Sequence, residues 1–162
     1  MKLQMLTPEY DAALAALIRH NLKMHHLDIP GTAYFDESLD HLSEYYSAMP
    51  DRRAYFILVD DGGALAGGIG LDGFPLFENC AELQKLYLSD AVKGRGLGYR
   101  LIEAVEEAAR ERGYAQIYLE THTNLQAALH IYEKSGYVEI DKPEAVVHAT
   151  MNRFFVKKLS HN

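Results

Sequence analysis

Cysteine occurs only once in the 162-residue chain, as Cys80, so no intramolecular disulfide can brace the fold. No stretch approaches the roughly 20 consecutive apolar residues of a membrane span. Positive charge is scarce: 16 Lys and Arg stand against 23 Asp and Glu, a net charge of −7. That balance opposes a general DNA- or RNA-binding surface, which needs a basic face. It leans towards cationic partners such as amines, beside its plainer role of keeping the protein soluble. There is no internal repeat, low-complexity tract or long linker. The opening residues MKLQMLTPEYDAAL hold no apolar h-region, so no secretory leader is expected. With a single thiol, the expected setting is reducing and cytoplasmic. No HExxH or similar compact metal pattern occurs, and no G-x-x-x-x-G-K-[ST] loop.

What is present is an ordinary globular composition, 48% apolar and 24% charged. A chain of this length suits one domain, taken as residues 1–162, burying roughly 70% of its unfolded surface. Lys2–Leu6 reads as a strand, then Thr7 as an N-cap with Pro8 at the first helical position. Leu14, Leu17, Ile18 and Leu22 give that helix one apolar face. Residues 27–35 contain Pro-Gly and read as a loop. A second helix is expected over 36–49, carrying Leu39, Leu42 and Tyr46. The period then changes to two. Residues 54–59 and 64–71 form a hairpin about the turn DDGG, and 80–88 is a third strand. Residues 95–112 read as a helix ended by Gly113, 115–121 as a strand, and 124–135 as a helix stopped by Gly136. Residues 137–140 and 146–159 read as the last strands. The order is β-α-α-β-β-β-α-β-α-β-β, an α/β (α+β) chain with a mixed, mostly antiparallel sheet flanked by helices.

Two glycine clusters compete for attention. GIGLDG at 68–73 fits G-x-G-x-x-G, but it lies inside a strand and opens no helix, so no dinucleotide site is expected. Its glycines fit a bulge or the close approach of another chain segment. The second cluster, VKGRGLGYRL at 92–101, lies between a strand and a helix. Gly94 and Gly96 can take left-handed turns, and N–H groups of the helix start, with Lys93 and Arg95, describe a phosphate cradle. Gly98, lacking Cβ, would let a ligand approach the first turn. The plainer reading is a Gly-rich turn with solvated cations.

The run ELQKLYLSDAVKGRGLGYRLI, followed by NLQAALHIYEKSGY, resembles the GNAT family of acetyl-CoA-dependent N-acyltransferases. The resemblance is strong over 54–140. The family loop reads Gln/Arg-x-x-Gly-x-Gly/Ala; here its first position is Lys93, which keeps the charge but loses the planar fork of arginine. Asn124, Ala127 or Ala128, Tyr132, Gly136 and Tyr137 follow the second family block. The resemblance implies the acyl-CoA N-acyltransferase fold and acetyl-CoA as co-substrate. It implies a cofactor-binding set of Leu86, Leu88, Lys93, Gly94, Arg95, Gly96, Leu97, Gly98, Tyr99 and Asn124, with the Leu88 N–H as oxyanion donor. Asn124 would double as the cap of its helix.

The step from Leu83 to Leu86 breaks period two if both face the core. A β-bulge near 84–85 would repair it and, as the family resemblance also implies, splay this strand from 115–121 to open a wedge for the pantetheine arm.

For the chemistry, Glu82, 13 residues before Arg95, resembles the family's base. Its bland alternative is an edge carboxylate paired with Lys85, and Glu120 is the rival base. Tyr132 resembles the family's general acid, against a role as a packing tyrosine. His122 and the adjacent His25 and His26 are weaker candidates, and Cys80 reads as a small buried strand residue. The acceptor site is expected from residues 22–35 and the last hairpin, with Tyr34, Phe35, Tyr45 and Tyr46 as candidate walls. The acceptor is an amine, a small molecule slightly favoured over a protein, with no nucleic-acid or membrane partner. The rival to an enzyme is a non-catalytic acyl-CoA-binding module. The apolar, edge-like run 151–159 points to a homodimer.

Overall fold

Strand β2 (Ala54–Val59) sorts its side chains by parity. Tyr55, Ile57 and Val59 pack with Leu14, Ile18 and Leu22 of α1 (Asp11–Met24) and with Leu42 and Tyr46 of α2 (Leu42–Ser47). Phe56 and Leu58 face the other way, towards Leu101, Ile102, Val105 and Ala108 of α3 (Leu97–Glu111). The computed structural model, which describes residues 1–147 and 149–160, is thus a sheet between two helical layers. Each fully buried aliphatic side chain on these stripes contributes about 1.5–3 kcal/mol.

The remaining elements are β1 (Lys2–Met5), β3 (Leu65–Gly73), β4 (Cys80–Leu88), β5 (Gln116–Thr121), α4 (Gln126–Lys134), β6 (Val138–Ile140) and β7 (Arg153–Lys158). Their order along the chain is the one the sequence predicts. The seven strands lie in the order β1-β2-β3-β4-β5-β7-β6. Every neighbouring pair is antiparallel except β4 and β5. No helix among the described residues is long and apolar enough to cross a membrane.

Several boundaries differ from expectation. A single 3-10 turn, Pro8–Tyr10, precedes α1, and the Thr7 hydroxyl bonds the Glu9 carboxylate instead of capping the backbone. The second helix is broken. A 3-10 turn at Leu39–His41 leads into α2, only six residues long, whose Ser43 N–H and hydroxyl both donate to Asp11 of α1. A cap supplied across 32 residues leaves no local signature in the sequence. The final strand starts at Arg153, where pairing with Thr121 begins. It is not an edge: β7 lies between β5 and β6, and Phe154 and Phe155 are buried. The edge-like reading of 151–159, on which the expected homodimer rested, is therefore corrected.

The glycines of β3 serve close packing. A Cβ on Gly68 would sit 2.5 Å from the Tyr55 ring. No helix follows them, as the rejection of a dinucleotide loop requires.

Candidate active site

The parallel pair β4/β5 comes apart part-way. Its register runs Cys80↔Gln116, Ala81↔Ile117 and Glu82↔Tyr118 and stops, although β4 continues to Leu88 and β5 to Thr121. The cause lies on β4. Between the pairs Gly70↔Gln84 and Gly68↔Tyr87, β3 advances two residues while β4 advances three. Lys85 takes a φ of 51°, which a residue with a Cβ rarely adopts. The extra residue bends β4 away from β5, as bulges do. The Tyr55 hydroxyl donates to the Lys85 carbonyl oxygen at 2.8 Å and holds the bend. The expected bulge and wedge are both present.

Parity reverses across the bulge. Ala81, Leu83, Leu86 and Leu88 all join the α3 side, while Tyr87 packs on the α1 side. Glu82 and Gln84 share that second side with Tyr46. The gap opens into a cavity of about 320 Å³, whose wall includes Glu82, Glu120, Leu86, Leu88, Lys93, Gly94 and Tyr132.

Glu82 is half-buried, and Gln84 Nε2 donates to its Oε1 at 2.6 Å. Burial pushes its carboxyl up to about 7; the Gln84 bond opposes the rise and the charge of Glu120 adds to it. Glu120 accepts from the Tyr118 hydroxyl at 2.7 Å. Tyr132 comes from α4 on the opposite side of the sheet. Burial raises its hydroxyl well above the ordinary tyrosine value, which keeps it protonated at neutral pH.

The backbone of Leu88 faces the gap. Ser89 N–H donates to Ala66 O across to β3 at 2.8 Å. The neighbouring pair Gly67↔Leu88 is then a non-hydrogen-bonded one, so the Leu88 N–H and C=O turn away from β3. The Leu88 carbonyl accepts from Asn21 Nδ2 at 3.3 Å.

Gly94 stands on the cavity wall and Gly96 just beyond it, with φ of 80° and 75°. A Cβ on either would meet nothing within 4 Å, so backbone conformation and not crowding calls for glycine there. Gly96 caps α3, and the first N–H groups of that helix have no intrahelical partner. Arg95 is exposed beside them. Lys93 Nζ is bonded to Asp90 at 2.7 Å, and Asp90 is also bonded to His20. Those two bonds hold the Asp90 carboxyl down at about 2.

Other expectations are redistributed. Arg95, Gly96, Leu97, Gly98 and Tyr99 lie at the start of α3, outside the cavity wall. A Cβ on Gly98 would meet Ile131 Cδ1 at 2.7 Å, so this glycine admits helix α4 instead of a ligand. Asn124 does not cap α4, which begins at Gln126; its amide donates to the His25 carbonyl at 2.9 Å. His122 accepts from the Asn124 N–H. Cys80 is buried, its thiol pushed up to about 12. Tyr34, Phe35, Tyr45 and Tyr46 are absent from the cavity wall, where Gly31, Thr32, Ala33 and Met151 stand. The loop thus reaches the cavity as expected but with the small residues Gly31, Thr32 and Ala33, and the segment leading into β7 reaches it with Met151.

Sequence reasoning also missed Asn21, Asp36 and Gln84, all on the wall, and ranked His25, which stands there too, only as a weaker candidate. Only Gln84 had a usable signal, since it follows Glu82 by one strand period. The Lys85 ammonium is paired with Asp36 at 3.5 Å. Burial and Lys93 lower the His25 imidazole.

A gap between strands, running from a helix start to a carboxylate and a hydroxyl, suits a transferase that draws an acyl group from a long carrier with an anionic end. Residues 20–137 match the Acetyltransferase (GNAT) family, and the protein belongs to that family of acetyltransferases. Over 138 residues it is 34% identical to the uncharacterized N-acetyltransferase YjgM of Escherichia coli, covering 84% of this chain and 81% of that one. It spans only 40% and 60% of two further relatives, from mouse and Bacillus subtilis. The GNAT acetyltransferase structure from Staphylococcus aureus superposes with a TM-score of 0.83 at 19% identity, over 98% of this chain and 99% of that one. PaiA N-acetyltransferase from Thermoplasma acidophilum, solved with coenzyme A, gives 0.71 at 19% identity over 97% and 98%.

Proposed function

We propose that the protein transfers an acetyl group from acetyl-CoA to the primary amine of a small cationic acceptor, by direct attack. The observation that carries this reading is Glu82: a carboxyl held near neutrality in the gap, next to a second carboxylate, Glu120. Two carboxylates attract an ammonium, and the one poised near 7 takes its proton, directly or through one water. The coenzyme A found in PaiA supports the carrier. Its pyrophosphate would lie on the N–H groups of the Gly94–Gly98 turn with Arg95, and its pantetheine arm beside Leu86 and Leu88.

The neutral amine forms a bond to the thioester carbonyl carbon. The oxygen anion that results accepts from the Leu88 N–H. The carbon–sulfur bond then breaks as Tyr132 gives its proton to the departing thiolate, and the nitrogen, cationic since the addition, releases its surplus proton through water, which restores the Tyr132 hydroxyl and leaves a neutral amide. Each proton transfer by a placed side chain contributes about 10²–10⁴-fold.

The test is a calorimetric titration with acetyl-CoA beside one with ATP, followed by thiol release with spermidine and with an N-terminal peptide amine. Saturable acetyl-CoA binding, none for ATP and thiol release with spermidine support the reading. Binding without release for any amine would leave an acyl-CoA-binding module, and no binding would end the reading.

A further inference from the structure

We infer that Gln84 is a positioning residue of this site. Its side-chain amide, clamped by Tyr46, holds the Glu82 carboxylate in one orientation towards the gap. The inference rests on the reading of Glu82 as the base.

The bonding leaves one arrangement. Ionised, Glu82 can only accept, so the group facing its Oε1 at 2.6 Å is then the NH₂ of Gln84. The amide oxygen then points the other way, where the Tyr46 hydroxyl meets it at 2.7 Å. An oxygen acceptor there obliges Tyr46 to donate. If the amide turned over, its oxygen would face the Glu82 carboxylate, acceptor against acceptor, although its NH₂ could still donate to the Tyr46 hydroxyl oxygen. The ionised Glu82 therefore selects the NH₂ end of Gln84, and Tyr46, donating to the amide oxygen, ties the side chain down from behind.

Tyr46 itself is fixed. It is buried, and its ring packs against Tyr45 and Tyr55 at 5.0 and 5.1 Å. Its hydroxyl reaches β4 through a slot in β3. A Cβ on Gly70 would stand 2.7 Å from Tyr46 Oη, so glycine is required at that point of the strand. The G-x-G-x-x-G run at 68–73 thus has a packing role. Gly68 and Gly70 admit Tyr55 and Tyr46, one hydroxyl going to the bulge at Lys85 and the other to Gln84.

The charges around Glu82 come from every neighbouring element. Glu120 and Tyr118 lie on β5, Asp72 on β3, Lys85 and Cys80 on β4, and Tyr46 on α2. Glu120 and Asp72 favour the protonated carboxyl, while Lys85 and the Gln84 amide favour the ionised one. Asp72 is paired with Arg53 and Arg52 at 3.3 Å and bonded by Tyr45. The Gln84 amide is the largest of the contributions that favour ionisation.

The experiment is a carboxylate titration by carbon-13 resonance in the free protein, labelled at glutamate side chains. Glu82→Gln identifies the Glu82 signal. In Gln84→Met the Glu82 midpoint should rise by about one pH unit, a tenfold gain in proton affinity. Tyr46→Phe, which removes the donor behind the amide oxygen and loosens Gln84, should raise it by less. The double variant should match Gln84→Met alone, because both changes act through one bond. A Glu82 midpoint unchanged in folded Gln84→Met would overturn the inference. Should that variant not fold, an unchanged midpoint in Tyr46→Phe would do the same. Neither acetyl-CoA nor an acceptor is present, so a loss of the transferase reading would leave this result standing, and the reverse also holds.

Discussion

Glu82 and Tyr132 stand on opposite faces of one sheet and reach the same cavity only because β4 parts from β5 between them. An acid and a base on two sides of a thin gap can serve the two ends of one displacement without touching each other.

Replacing Tyr132 with Phe should lower kcat by about 10²-fold while leaving the KM for acetyl-CoA nearly unchanged. Thiol release measured against both substrates checks this. An unaltered kcat would remove Tyr132 from the reaction and leave it as packing between α4 and the sheet.

The parent enzyme should show kcat/KM rising with pH to a plateau above the Glu82 value of about 7. Glu82→Gln lacks a base and depends on the small neutral fraction of free amine, which keeps growing beyond pH 7. Its deficit should be greatest at and below pH 7 and should shrink towards pH 9. Parallel pH profiles of the two enzymes, with a constant ratio, would count against a proton-accepting role.

Stability should carry the mark of the same carboxyl. Its folded value, about 7, lies above the ordinary 4.5, so the folded chain holds this proton more tightly than the unfolded chain. The group therefore costs stability progressively as pH rises from about 4.5 to about 7, by an amount on the order of 3 kcal/mol at most. Chemical denaturation at pH 5 and pH 8 should show a smaller loss in Glu82→Gln than in the parent.

Gly96→Ala should cost about 1–2 kcal/mol, the penalty for a Cβ at a left-handed φ, although its methyl group meets no neighbour. Because the same residue begins α3 at the cradle, acetyl-CoA affinity should fall as well. Gly98→Ala makes the contrast. Its methyl group would press on Ile131, so it should destabilise α3–α4 packing with a smaller effect on affinity. Calorimetric titration and thermal melts of the two variants separate these outcomes.

The strands were legible because half-buried strands alternate, and the odd step from Leu83 to Leu86 announced the bulge without any contact being known. Two sequence blocks in order point to Glu82 and Tyr132 as partners in one site, and Glu120 follows as the rival carboxylate on the neighbouring strand; all three stand on one cavity wall. What escaped was set by partners distant in the chain. The start of α2 depends on Asp11, the side chain of Asn124 is taken by His25 O, and Gly98 answers to Ile131. Lys93 looked like a phosphate ligand, but Asp90, three residues before it, already holds its ammonium. Tyr45 and Tyr46 were read as cavity walls because aromatic residues on a short helix do not reveal which way they point. Asp72 and Gln84 claim their hydroxyls behind the site.

The residue inserted at the bulge makes β4 a strand with two handednesses of address. Before it, even-numbered side chains look to α2 and odd-numbered ones to α3; after it, the assignment is exchanged. Deleting Lys85 would leave Glu82 where it is and every later side chain on the face it now occupies, because β4 would then advance two residues between Gln84 and Tyr87, as β3 does. Leu86 and Leu88 would stay in the α3 layer in unbroken alternation, but β4 would lose its bend, and the Leu88 N–H, still turned away from β3, would face β5 instead of a gap. One amino acid more or less in this strand therefore separates a sheet with an open seam from a sheet that is simply closed.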